Sequence, residues 1–418
     1  LTEPTPFGLN DLKLAVGLTL KLGIPTGIVI NRSDNQDEII ESYAASVGLP
    51  VIGKIPFRRE YAEAYSRGEI LADVFPEFTE NMKSIYSNIL ALQGSPAPQP
   101  PEEESVKVTP RTQELTASGH TTAAKEITVI SGKGGTGKTT VTASFAKLSQ
   151  NAVFADNDVD AADLHLLLSP ETREAYDFTG GVKARIDPAR CTACGKCAEY
   201  CRFDAIRFDG SANQAFDKTY RIEPFACEGC GLCPLVCPVS AISASPNITG
   251  KWYIADTEWG PMVHARLGIA EENSGRLVAK VREKAADLSD NLGKERIIGD
   301  GPPGTGCPVI ASVSGVDAVV IVTEPTVSGV HDMERVLELA KYFNVKSFVI
   351  INKSDLNRDQ AARINEIAKR EGADVIGGIP FDRNVHNALM QGKTVVEYGP
   401  GPAEKAVRNA WEEIKNRV

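Results

Sequence analysis

The stretch Ile127–Thr140, ITVISGKGGTGKTT, leaves a chain few choices of fold. A short β-branched run enters a turn with four glycines, and a helical pattern follows at once. The spacing G-x-x-x-x-G-K-T is satisfied by Gly132, Gly137, Lys138 and Thr139. Such a turn wraps phosphates in backbone N–H groups at a helix N-terminus, where the aligned peptide dipoles favour negative charge. Gly134, Gly135, Thr136 and Thr140 complete the expected cradle. Lys138 is expected to reach the outer phosphates, and Thr139 to offer its hydroxyl to Mg²⁺.

The rest of the chain agrees with that start. The runs ITVI, AVFA, RIIGD, AVVIVTEP, FVIIN and DVIGGIP are each followed by a turn and an amphipathic segment. This alternation predicts an α/β fold: a parallel sheet with helices on both faces. The runs are apolar throughout, as strands covered on both sides should be.

At 418 residues the chain is long enough for several domain-sized units. A net charge of −10 argues against nucleic acid or an anionic membrane as the main partner, since both reward clustered Lys and Arg. No apolar run approaches the ~18–20 residues of a spanning helix. Gln93–Glu104, QGSPAPQPPEEE, has little to bury, and residues 93–125 are expected to form a flexible linker. It separates residues 1–92 from 126–418.

The two flanking pieces are related. Leu1–Asp34 and Val322–Asp355 share eleven identities in 34 positions, and VIGKIPF ending at Phe57 matches VIGGIPF ending at Phe381. Residues 1–92 therefore read as the back half of the domain that is whole after the linker, with no phosphate turn of their own. Either an upstream first half belongs to this copy in a tandem protein, the preferred reading, or the half-domain is a module that packs on the complete copy. A half-sheet alone would leave an uncovered edge.

Eight of the nine cysteines lie between Cys191 and Cys237. Such packed runs in a long chain suggest metal ligands and a reducing cytoplasm, not an extracellular disulfide scaffold. CTACGKCAEYC and CEGCGLCPLVC both follow C-x₂-C-x₂-C-x₃-C, the spacing of bacterial two-cluster ferredoxins. Zinc sites want four ligands in spaced pairs instead. The resemblance to those ferredoxins implies two [4Fe–4S] clusters. Cys191, Cys194, Cys197 and Cys237 would hold one; Cys227, Cys230, Cys233 and Cys201 would hold the other. Arg202 departs from the pattern, standing where the first run would often have Pro.

The loop KGGTGKTT, with Lys133 as a second lysine, resembles the deviant Walker A motif of the family that includes MinD, the ParA proteins, the Mrp/NBP35-type iron–sulfur carriers and the nitrogenase iron protein. The resemblance implies an ATPase that dimerises around nucleotide, with Lys133 reaching across to the partner's phosphates. It implies that Asp158, in VFADND after Asp156, orients the attacking water. Asp300, in RIIGDGPPGTG, would be the Walker B aspartate, and Gly304 would sense the γ-phosphate. Asn352 would contact the purine, and the turn after Ile379-Pro380 would close over it. NKSD also resembles the guanine-reading motif of GTPases through Asp355; the kind of P-loop favours ATP. The layout resembles MinD-superfamily ATPases with an inserted ferredoxin domain, here at about residues 180–250. Cys307 suits a packed residue more than a bridging ligand, and His331 and His386 suit structural roles.

The expected function is ATP hydrolysis coupled to electron transfer by the two clusters. The alternatives are a cluster or metal-cofactor carrier, and a nucleotide-dependent positioning switch. The expected partners are a second MinD-like copy, as homodimer or pseudo-dimer, and a redox or cluster-acceptor protein; no stable membrane association is expected.

Overall fold

The computed structural model describes residues 1–92, 123–224, 226–268, 271 and 273–418. Residues 93–122 of the expected linker lie outside the described residues. The strands are β1 (Ile28–Ser33), β2 (Val51–Pro56), β3 (Lys125–Ser131), β4 (Ala152–Asp156), β5 (Glu171–Ile186), β6 (Ile206–Gly210), β7 (Thr219–Ile222), β8 (Ile242–Thr257), β9 (Gly260–Leu267), β10 (Arg296–Pro303), β11 (Ala318–Thr323), β12 (Lys346–Asn352) and β13 (Asp374–Ile379).

Nine of them form one sheet in the order β13-β12-β11-β3-β10-β4-β9-β8-β5. From β13 to β9 every pairing is parallel. All six expected runs are strands of this sheet. Ile127, Val129, Ile298, Val320 and Phe348 are buried in one apolar layer with Phe145 and Trp411 from the helices Lys138–Leu148 and Pro402–Lys415. The opposite face is covered by Met333, Ile364 and Val309 from three other helices. Burying each such side chain contributes about 1.5–3 kcal/mol before entropy is counted, which is why apolar runs, not alternating ones, make these strands.

The wholly parallel sheet expected from the sequence needs correction. β8 runs antiparallel to β9, and β5 antiparallel to β8. β5 and β8 are each 16 residues long and pair along nearly their whole length. Their alternation of exposed and half-buried residues leaves no continuous apolar run to signal a strand. The ribbon carries residues 187–241 at its far end, so the cysteine-rich insert extends the sheet edge and its stem begins before residue 180.

Within the insert the two cysteine runs repeat their backbone. Ala193 and Gly229 have φ of 52° and 63°, Gly195 and Gly231 have 78° and 72°, and Asp204 and Ser240 have 47° and 49°. Short helices, Lys196–Glu199 and Leu232–Val236, follow at equivalent places.

Residues 1–92 repeat the corresponding part of the complete domain. β1 and β2 pair in parallel as β12 and β13 do. Thr5 caps the helix Pro6–Lys21 by accepting from the Gly8 N–H at 3.0 Å, and Thr326 caps Val327–Tyr342 from Gly329 at 2.9 Å. Arg32 and Lys353 share a left-handed φ of 54° and 53° and pair with Glu3 and Glu324 respectively. Residues 1–92, the half-copy, lie against loops at the carboxyl ends of β4, β12 and β13. Asn10 donates to Asp163 Oδ1 at 2.9 Å, Arg59 meets Asp355 at 3.3 Å, and Phe57 stacks on its repeat-mate Phe381 at 6.2 Å.

Candidate functional site

The phosphate turn sits between β3 and the helix Lys138–Leu148, at the carboxyl edge of the parallel strands where ligands of open α/β sheets collect. Gly137, the residue before this helix, has φ of 92°. A Cβ there would also lie 2.4 Å from Asn352 Nδ2, so both backbone and space demand glycine. Gly134 and Gly135 face open space. Thr136 is buried with its Oγ1 lacking any hydrogen-bond partner. An open glycine cradle and an orphaned buried hydroxyl fit a phosphate chain.

Behind the cradle, charge is concentrated. Lys138 Nζ lies 2.9 Å from Asp300 Oδ2 and 3.3 Å from Asp158 Oδ2. Thr139 Oγ1 donates to Asp300 Oδ2 at 2.7 Å, and Thr142 Oγ1 donates to Asp300 Oδ1 at 2.8 Å. Asp156 accepts from the backbone N–H groups of Asp158 and Leu164, both at 3.2 Å. Burial would lower the Lys138 ammonium's pKa, but Asp300 and Asp158 outweigh it and hold the group above its ordinary value. Burial pushes the Asp158 carboxyl up to about 6, with Lys138 opposing and Asp300 adding to the rise. Asp156 is raised strongly by burial and by Asp300 and Asp158. Three carboxylates against one ammonium suit an added cation, and Thr139 supplies an oxygen beside Asp300; this donor set fits Mg²⁺.

The other expected nucleotide residues are engaged with the protein itself. Asn352 Nδ2 donates to the Thr136 carbonyl at 2.7 Å, tying β12 to the turn. Asp355 accepts from the Phe381 N–H at 2.7 Å as well as from Arg59, beside the Pro380 turn. The Gly304 N–H donates to the Ser131 carbonyl at 2.8 Å. Lys133 donates to Ser328 Oγ at 2.9 Å and lies 5.5 Å from the Tyr65 ring centroid, facing the half-copy. His331 is exposed beside Asp332, and His386 bonds Gln36 at 3.0 Å.

Asp163 carried no signal in the sequence, because no motif spacing marks it. Burial and the neighbouring Asp11 push its carboxyl up to about 8, although Asn10 opposes the shift. Only the docking of the half-copy brings Asn10 to it.

The eight cysteines surround two hollows in the insert. One is lined by Cys197, Cys201, Cys227, Cys230 and Cys233. The other is lined by Cys191, Cys194, Cys197 and Cys237. Cysteines of both runs meet at each hollow, and Cys197 lines both. Cys194 and Cys230 are exposed, while Cys191 and Cys197 are buried. Burial raises the Cys197 thiol, with Cys191 and Cys194 adding to it; burial, Cys227 and Cys230 push Cys233 up to about 11. Crowded thiols that resist ionisation alone suit a cationic cluster, and the Ala241 N–H already points at Cys237 Sγ, 3.3 Å away. Among the described residues no three His, Cys, Asp or Glu side chains converge as around a single metal ion. Cys307 begins the helix Cys307–Val313 and is exposed.

A phosphate turn on a mostly parallel sheet, backed by Lys138, Thr139 and Asp300, defines the class of the molecule: a P-loop nucleoside-triphosphatase. The profile of the CobQ/CobB/MinD/ParA nucleotide binding domain matches residues 127–395, and the chain belongs to that family, whose P-loop ATPases hydrolyse ATP. An uncharacterized protein of Methanocaldococcus jannaschii is 33% identical over 297 residues, covering 70% of this chain and 97% of the relative. An iron-sulfur cluster carrier protein of Pyrococcus abyssi is 24% identical over 311 residues, covering 70% and 86%. The cell division ATPase MinD of Pyrococcus furiosus superposes with a TM-score of 0.42 at 18% identity, covering 71% of this chain and all of that one (100%). Among the described residues no helix is long and apolar enough to cross a membrane.

Proposed function

We propose that this ATPase couples its nucleotide state to electron transfer by two [4Fe–4S] clusters carried in a ferredoxin-like insert. The supporting observation is that two hollows are lined by cysteines of both runs. Cys201 joins Cys227, Cys230 and Cys233 at one, Cys237 joins Cys191, Cys194 and Cys197 at the other, and Cys197 reaches both. Cys191, Cys194, Cys197 and Cys237 would hold one cluster, and Cys227, Cys230, Cys233 and Cys201 the other. When bound, such clusters supply one-electron redox couples. In the ATPase, Lys138 binds the outer phosphates, Thr139 and Asp300 hold Mg²⁺, and Asp158 orients water. The glycine turn supplies backbone N–H groups to the phosphate oxygens. Lys133 and the half-copy form a pseudo-dimer interface across the nucleotide face. Asn352 and the Pro380 turn border the base, and the Gly304 loop responds to the γ-phosphate.

Anaerobic purification with iron and sulfide counts tests the ligation, and EPR of the reduced protein with and without Mg-ATP tests the coupling. The expected result is about eight irons per chain and spectra that change with nucleotide. Cys237→Ser should lose about half the iron and keep the other cluster's signal. Retention of zinc, or spectra indifferent to nucleotide in an iron-loaded chain, would overturn the reading.

A second reading, a cluster carrier, is favoured by the similarity to the iron-sulfur cluster carrier protein of Pyrococcus abyssi and by the exposure of Cys194 and Cys230. Transfer of iron and sulfide to an apo-acceptor, with no electron delivered, would select it.

A further inference from the structure

The cysteine insert and the nucleotide loops are joined by direct contacts along two routes. One is the pairing of β8 with β9 and of β9 with β4; the other is a helix route in which Arg276 bonds the ribbon. β10 ends at Pro303, and the short loop from Gly304 leads directly into the helix Cys307–Val313, so movement of that loop pulls on the helix. The helix Ser274–Leu292 lies directly on it. A Cβ at Gly275 would sit 3.4 Å from the Cys307 carbonyl group, leaving the two backbones in close approach. Further along, Arg282 donates to the carbonyls of Ala311 and Ser314 at 2.7 and 2.9 Å, closing over the carboxyl end of the same short helix. The two helices are therefore fastened at both ends of the contact. Ser274 also hydrogen-bonds the Asp160 carboxylate, two residues from Asp158.

Arg276 leaves this assembly in the other direction. Its guanidinium donates to the Gly180 carbonyl at 2.8 Å. Gly180 lies in β5 among the register shifts between Phe178 and Gly181. A Cβ at Gly180 would lie 2.2 Å from Thr249 Oγ1 of the paired strand, so the ribbon is tightly seated here. Two residues on, the Val182 N–H donates to the Gly229 carbonyl at 3.2 Å. Gly229 stands between Cys227 and Cys230 with φ of 63°, and a Cβ on it would meet the Val182 carbonyl oxygen at 2.7 Å. Backbone is pressed on backbone at that point, so a shift of β5 must reach the loop that presents two thiols of the second quartet.

We infer that Arg276 is the positioning residue that passes nucleotide-dependent movement of the Gly304 loop, through the helix Ser274–Leu292 and the Gly180 bulge, to the Cys227–Cys230 loop. The inference deepens the proposed coupling and rests on it for its purpose, but its physical content is a linkage between two loops of the polypeptide. A relay of this kind needs contacts that hold in both states and a flexible element that yields. Arg276 is exposed and bonds the Gly180 carbonyl, outside the residues assigned to the nucleotide and the cysteine quartets. Its removal should leave both sites assembled.

The test is hydrogen–deuterium exchange on the full chain, following the segment 226–237 with and without Mg²⁺ and a non-hydrolysable ATP analogue. In the unaltered protein the analogue should change exchange there by about fivefold or more, the lower end of ordinary coupling between sites. Arg276→Met should abolish that response while binding of the analogue stays within about twofold; Arg276→Lys, which keeps one donor for the Gly180 carbonyl, should restore a part. A full response in Arg276→Met overturns the relay. So does an unaltered protein that binds the analogue without any response in the segment. Because exchange is read on the polypeptide whether or not iron is bound, these outcomes are separate from the iron counts and EPR that decide the proposed function.

Discussion

At the scale of single residues, the nucleotide side is governed by uncompensated negative charge. Burial pushes the Asp158 carboxyl up to about 6, so below that pH it is protonated and the carboxylate of its proposed water-orienting role is lost. The kcat/KM for ATP is therefore expected to rise with pH through about 6, since that ratio reports the free enzyme. Asp158→Asn should lower turnover by ~10²–10⁴ and lose this acid limb, which a pH–rate series in both proteins would reveal. Asp163 makes a different prediction, on stability. Its folded-state pKa of about 8 lies above the unfolded value of 3.8, so the folded form holds the proton more tightly. Its contribution is complete below the unfolded value and is lost as pH rises through about 8. Asp163→Asn removes that loss and leaves a side-chain oxygen for Asn10. Its stability advantage over the unaltered protein, measured by denaturant unfolding, should grow between pH 4 and 8 by more than about 1 kcal/mol.

At the scale of elements, the phosphate turn and β12 are locked together through Gly137 and Asn352. With φ of 92° and Asn352 Nδ2 only 2.4 Å from an added Cβ, Gly137→Ala must strain the turn or expel the Asn352 amide. A left-handed non-glycine residue costs about 1–2 kcal/mol before any clash. ATP affinity, read by calorimetry, should fall by about tenfold or more, the equivalent of about 1.4 kcal/mol. Affinity within twofold of the unaltered protein would mean that the turn does not hold this shape when it binds. The ribbon of β5 and β8 presents the contrasting case. Its strands are held by pairing along their length, by the seat of Gly180 on Thr249, and at one end by Tyr176, Phe178, Trp252 and Ile254 packed with Val263 and Leu277.

At the scale of the whole molecule, the half-copy is held on the complete domain mainly by polar contacts. Arg59–Asp355, Tyr65–Ser328 and Asn357–Ser66 are partly or largely exposed, and Phe57–Phe381 is the aromatic contact. Exposed ion pairs contribute about 0–1 kcal/mol each. Covalent connection, by contrast, supplies an effective concentration on the order of millimolar. Cutting an engineered protease site placed between residues 93 and 122 should therefore let the two pieces separate on size-exclusion chromatography at micromolar concentration. Co-elution after cleavage would show that the interface is stronger than its contacts suggest.

The sequence by itself determined what depends on local chemistry. Spacing in Ile127–Thr140 was enough to mark a glycine turn between a strand and a helix, because such a turn is built from neighbouring residues. The six apolar runs announced the buried strands, since burial on both faces leaves a continuous mark. The repeat of Thr-Glu-Pro-Thr is local too, and where it recurs the caps at Thr5 and Thr326 and the left-handed turns at Arg32 and Lys353 recur with it. Tertiary structure alone decided the rest, because those features join residues far apart in the chain. Two antiparallel strands extend the sheet without an apolar run to reveal them. Asn10 meets Asp163 only through docking of the repeat, and Arg276 finds Gly180 across 96 positions. Such contacts leave no periodic trace, since one hydrogen bond between distant segments constrains only the two residues that make it.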